Sequence, residues 1–191
     1  GIVKWCDPKL SFGLNVWNRN HFNPVRKAQW GWEEQTDYAD WVKPITYQHQ
    51  SGHIFAKEME HYRKTILRDF DANDFTPAMY AILGLDEAPW DKVVQAGLDP
   101  DTYVYGQCAD AVRGCAGKAK VYMGIGVDAP RERKDQAVCT PDIVYRSVLA
   151  TYRAGGEGIV YSPNYAGMNL TNLGGGARAL EELGLKAASA A

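Results

Sequence analysis

Asp128 follows directly on an apolar stretch, Lys120–Val127 (KVYMGIGV), and stands two residues before Pro130. A run this apolar suits a parallel strand covered on both faces. The carboxyl ends of parallel strands are where α/β proteins place their reactive groups. A carboxylate there is a candidate nucleophile or general base; the plain alternative is an Asp that shapes the turn before Pro130. Other strand-like stretches also end in groups able to bind or transfer protons. Asn18, Arg19 and His21 follow the first, Tyr47 and His49 the second, and Ser162, Asn164 and Tyr165 the last. His49, His53, Glu58 and His61 carry metal-ligand side chains at helical spacing. Ser51 and Gly52 argue a loop between the first pair, however, and no metal is expected. The four cysteines, Cys6, Cys108, Cys115 and Cys139, form no CxxC pair, which removes the usual zinc spacing.

These groups need a scaffold that brings strand ends together. Leu10–Asn18 reads as a strand, Trp30–Asp40 as a short acidic helix and Trp41–Tyr47 as a second strand, in which Pro44 argues an edge or a bulge. His53–Phe70 is amphipathic, with Ile54, Phe55, Met59, Tyr62, Ile66, Leu67 and Phe70 near the helical period. Asp71–Pro100 reads as a long insertion whose apolar run Met79–Leu85 fits strand and helix equally. Asp101–Ala116 is helical, with Cys108 and Cys115 on one buried face and Gly117 as its stop. Thr140 is an N-cap followed by Pro141 in the first helical position, and that helix is expected to reach Arg153. Gly158–Tyr161 is the last strand, and a closing helix carries Leu173, Ala177, Leu180 and Leu183 before Gly184. Strand and helix alternate, which predicts a single parallel α/β domain over residues 1–191 with the insertion at about 71–100.

With 191 residues, 21 Lys+Arg against 23 Asp+Glu and a net charge of −2, the chain has no basic footprint for nucleic acid or an anionic membrane. No apolar run approaches the roughly 20 residues that cross a bilayer, so a soluble chain is expected. It begins at Gly1 without Met, which fits a processed or excised segment. No compartment is indicated; a secreted or periplasmic one is compatible, where Asn169–Thr171 would be a glycosylation sequon.

The stretches FGLNVWN, YADWVKPITY, GIGVD and AGGEGIVYSPNY together resemble the later strands of TIM-barrel glycoside hydrolases, in particular the glycosyl-hydrolase-like barrels of bacteria. The resemblance runs from Phe12 to about Leu183 and implies a (β/α)8 fold of which this chain supplies the C-terminal half, strands five to eight. It implies hydrolysis of O-glycosidic bonds in a poly- or oligosaccharide without a cofactor. In many such families the acid/base follows the fourth strand and the nucleophile the seventh, the place of Asp128. Asn18, Arg19, His21, Tyr47, His49, Ser162, Asn164 and Tyr165 would then meet sugar hydroxyls. Trp17, with Trp30, Trp32 and Tyr165, would give flat platforms for pyranose rings, although each tryptophan alone is as readily a packing residue. Half a barrel leaves two open sheet edges, so pairing with the missing half or self-association is expected. Two alternatives are a carbohydrate-binding or assembly module without catalysis, and a flavodoxin-like domain of unrelated function. Against the second, no GxGxxG loop joins a strand to a helix, and the GIG of Gly124–Gly126 lies inside a strand.

Overall fold

A computed structural model describes residues 2–17, 19–29, 31–128, 137–162 and 167–185. The elements are α1 (Ile2–Cys6), β1 (Gly13–Val16), α2 (Arg19–Phe22), α3 (Pro24–Gln29), α4 (Trp32–Thr36), β2 (Trp41–Pro44) and α5 (Gln48–Lys64). They continue as α6 (Ala72–Leu83), α7 (Trp90–Ala96), a wide π-type turn (Pro100–Val104) and α8 (Tyr105–Cys115). The last are β3 (Lys120–Gly126), α9 (Pro141–Arg153), β4 (Gly158–Ser162) and α10 (Leu170–Glu182).

The four strands are all parallel and lie in sequence order, β1-β2-β3-β4. The order never reverses, unlike that of doubly wound sheets, whose ligand crevice lies where it does. The sheet is open, with β1 and β4 at its edges among the described residues. Alternation along the strands sorts side chains to two faces. Val42, Val121, Met123, Ile125 and Val127 are buried on one of them, in a core shared with Phe55 and Met59 of α5, Cys108 and Ala111 of α8, and Val144 and Val148 of α9.

The other face differs from the expected two-sided helical cover. Trp41, Lys43, Tyr122, Gly124 and Gly126 alternate onto it, and the Trp41 and Tyr122 rings lie 5.8 Å apart. Each glycine there lies under a large side chain of the neighbouring segment. A Cβ would collide with Trp41 at Gly13 and with His49 at Gly126, would come 2.9 Å from Lys43 Cε at Gly124, and 3.0 Å from Tyr122 Cδ1 at Gly158. One layer of side chains therefore rests on a glycine floor.

Other departures from the sequence expectations have local causes. Pro44 lies in an interior strand, yet the β2–β3 ladder covers only Trp41–Val42 and resumes as a single bridge at Ile45–Gly124, so Pro44 sits in the gap where no donor is needed. α5 begins at Gln48 and contains Ser51 and Gly52, with no loop between His49 and His53. Gly52 serves close packing, since a Cβ there would strike the Val93 carbonyl of α7. The ambiguous Met79–Leu85 run goes to α6. The stop expected at Gly117 is shared with Ala116: Ala116 has φ 49° and Gly117 φ 75°. Thr140 Oγ1 accepts from the Ile143 amide at 3.2 Å, as its capping role requires, and the sequon's Asn169 uses its side chain to cap α10.

Candidate functional site

At the carboxyl end of β2 the chain turns sharply. The Gly124 carbonyl accepts from the Thr46 amide at 3.1 Å, the Tyr47 amide at 3.4 Å and the Thr46 hydroxyl at 3.0 Å. Tyr47 holds φ 33° and ψ 58°, a left-handed conformation disfavoured for a bulky residue, and α5 starts from it. The first turn of α5 thereby lays the His49 ring over Gly126.

One β/α unit further on, β3 delivers Asp128 to the same rim. Its Oδ2 lies 3.5 Å from His49 Nε2 and accepts a hydrogen bond from the Gln50 amide nitrogen. Both members of the pair are buried, with His49 4 % and Asp128 2 % exposed. Asp128 Oδ1 and the two His49 ring nitrogens have no hydrogen-bond partner among the described residues. The backbone around the carboxylate is clamped. Asn172 of α10 donates from Nδ2 to the carbonyls of Asp128 and Cys139, both at 3.2 Å, and the Cys139 thiol donates to the Gly126 carbonyl at 3.3 Å. Along the same face, Lys43 holds its ammonium 5.9 Å from the Tyr47 ring centroid, and burial lowers its pKa.

His49 and Gln48 also line a cleft of about 480 Å3 against the segment between α6 and α8. Glu87 in its wall accepts from Thr102 Oγ1 at 2.6 Å and from the Asp99 amide at 3.1 Å. Burial pushes the Glu87 carboxyl above its ordinary pKa, and the neighbouring Asp99 and Asp86 charges add to the rise while the two hydrogen bonds oppose it. Arg146 of α9 straddles Asp99 (2.8 Å) and Asp101 (2.6 Å), which raises its pKa further.

Of the residues singled out in the sequence, His49 and Asp128 are brought into contact, with Tyr47 buried at the turn between them. Trp17 stands 64 % exposed just past β1. His21 is buried in α2, which packs on α5, and burial with the nearby Lys27 charge holds its pKa down to about 3. It is a packing imidazole that stays neutral. Trp32 is partly buried against Gly114 of α8. Asn18, Trp30, Asn164 and Tyr165 lie outside the described residues; Arg19 opens α2, and Ser162 ends β4 opposite Gly126. Among the described residues no three His, Cys, Asp or Glu side chains gather as metal ligands, and no helix is long and apolar enough to cross a membrane. Sequence reasoning assigned no role to Lys43, Gln48, Gln50, Glu87, Arg146 or Asn172. Asn172 had one usable signal, its place in the capped start of an amphipathic helix; Glu87 had none, since its partners come from folding of the insertion.

No protein-family model, curated protein or solved structure matches this chain. Fold and rim together define a parallel β/α protein with a buried histidine–aspartate pair at the carboxyl ends of its strands.

Proposed function

We propose that the chain is a carbohydrate-active, glycoside-hydrolase-like unit of the TIM-barrel type, with Asp128 as the reacting carboxylate. The observation that carries this reading is the His49–Asp128 contact at the carboxyl rim of an all-parallel, sequentially ordered sheet. Gln50 donates to Oδ2 beside the His49 ring, leaving Oδ1 for a sugar carbon or a water. Hydrolysis needs a second carboxyl, about 5–5.5 Å away for retention or about 6.5–9.5 Å for inversion. In this reading it comes from a second set of β/α units that closes the barrel. A second reading, sugar binding without hydrolysis, is favoured by the deep burial of Asp128, at 2 % exposure.

The deciding experiment measures hydrolysis of a glycoside panel by the parent protein and its Asp128→Asn variant, with melting curves for both. A catalytic carboxylate predicts a fall of several orders of magnitude, because an amide can act neither as nucleophile nor as base. Stability should change by about 1 kcal/mol or less, Asn being nearly isosteric. Equal turnover would remove Asp128 from the mechanism. Sugar binding without turnover in either protein would select the binding module.

A further inference from the structure

We propose that the cleft bounded by the start of α5, the Asp86–Thr102 segment and α9 is a subsite for one neutral sugar ring, held by Gln48, His49 and Glu87, an assignment that rests on the carbohydrate reading of the rim. The cleft's volume of about 480 Å3 is in the range of small-molecule sites. Gln48 lines it at 1 % exposure, yet among the described residues neither its amide nitrogen nor its amide oxygen has a hydrogen-bond partner. Leaving such groups buried and unpaired is costly, and in native proteins each calls for a partner. The two ring nitrogens of His49 are in the same condition.

The kind of partner follows from the atoms. An amide and a neutral imidazole each present a donor together with an acceptor, the complement of hydroxyl groups that both give and take. Charge excludes the anionic ligands that a lone arginine would attract. Arg146 commits its guanidinium to Asp99 and Asp101, and Asp86 and Glu87 add further carboxyls to the wall. Each Glu87 oxygen accepts one hydrogen bond, from Thr102 and from the Asp99 amide, and keeps a further lone pair for a sugar hydroxyl. Val93, Leu98 and Ile143 supply an apolar wall for the C–H face of the ring. Because His49 both lines the cleft and touches Asp128, a ring seated there lies beside the rim carboxylate's own partner.

The test uses the whole 191-residue chain with saturation-transfer NMR and thermal shift. The probes are glucose, galactose and mannose, set against glucuronate and glucose 6-phosphate. At least one neutral sugar is expected to bind, with the anionic sugars about tenfold weaker or worse. Gln48→Met keeps the volume and removes both unpaired atoms. It should fold at least as stably as the parent chain and bind the neutral sugar about tenfold more weakly. Undiminished binding by Gln48→Met or preferred binding of the anionic sugars would each overturn the cleft assignment while leaving a carbohydrate role for the rim. Binding of no sugar at all would overturn both. Binding that depends on Gln48, in a parent protein that hydrolyses no glycoside, would uphold the subsite and sink only the hydrolase.

Discussion

His49 and His21 are both buried imidazoles that follow strands, and only one of them meets a carboxylate. The sequence shows them alike, each within a polar cluster; what separates them is a partner 78 residues from the first turn of α5. For His21 burial, with the charge of Lys27 adding, holds the pKa at about 3 against an ordinary value of 6.5. The unfolded chain therefore takes up a proton at His21 near pH 6.5, while the folded chain resists until about pH 3. Within that window the unfolded state binds more protons, so stability falls as pH falls, by about 1.4 kcal/mol per unit. Urea unfolding at pH 6.5 and pH 4 should show His21→Leu losing about 3 kcal/mol less than the parent chain over that interval. Identical losses would mean that another group carries the acid sensitivity.

At the scale of elements the sequence pattern located all four strands and five helices, α4, α5, α8, α9 and α10, left α6 ambiguous and missed α1, α2, α3 and α7; it also failed where a residue had been placed for tertiary contact. Gly52 read as a helix breaker, although its role is to let α7 approach α5. Gly124 and Gly126 read only as residues inside a strand, whereas they are the floor on which Lys43 and His49 rest. The candidate site was legible through Asp128 and His49, because strand polarity alone sends both to one rim; the insertion that walls the cleft gave no local sign. A single methyl group tests the floor. Gly126→Ala should displace the His49 ring, break its contact with Asp128 and cost about 1–3 kcal/mol by overpacking. Gly106→Ala, with nothing within 4 Å of the added carbon, should be neutral or stabilising by up to about 1 kcal/mol in its helix. A His49 ring resonance unmoved by Gly126→Ala would show that the ring does not lie there.

Among the described residues the molecule is a sheet with its helical core on one face and a layer of side chains on the other. Its edge strands, β1 and β4, run parallel, so a second set of four strands of the same polarity would meet a correctly oriented neighbour at each. Unsatisfied edges and the half-buried Trp41–Tyr122 pair favour association. Sedimentation of the chain at tens of micromolar should show self-association. A monodisperse monomer would count against the proposed pairing of these edges.

The clamp around Asp128 also contains a chemical stopwatch. The Cys139 thiol is bound to the Gly126 carbonyl, its backbone oxygen is held by Asn172, and burial, with the Asp128 charge adding, pushes its pKa up to about 12. Alkylating reagents attack only the thiolate, so Cys139 reacts only when this corner opens. Cys108 is raised to about 12 by burial between α8 and α9, and it records the opening of the core instead. Cys6 is exposed and reads the intrinsic speed of the reagent. The ratio of the Cys139 and Cys108 labelling rates therefore reports, without any substitution, whether the rim opens alone or only when the whole chain comes apart.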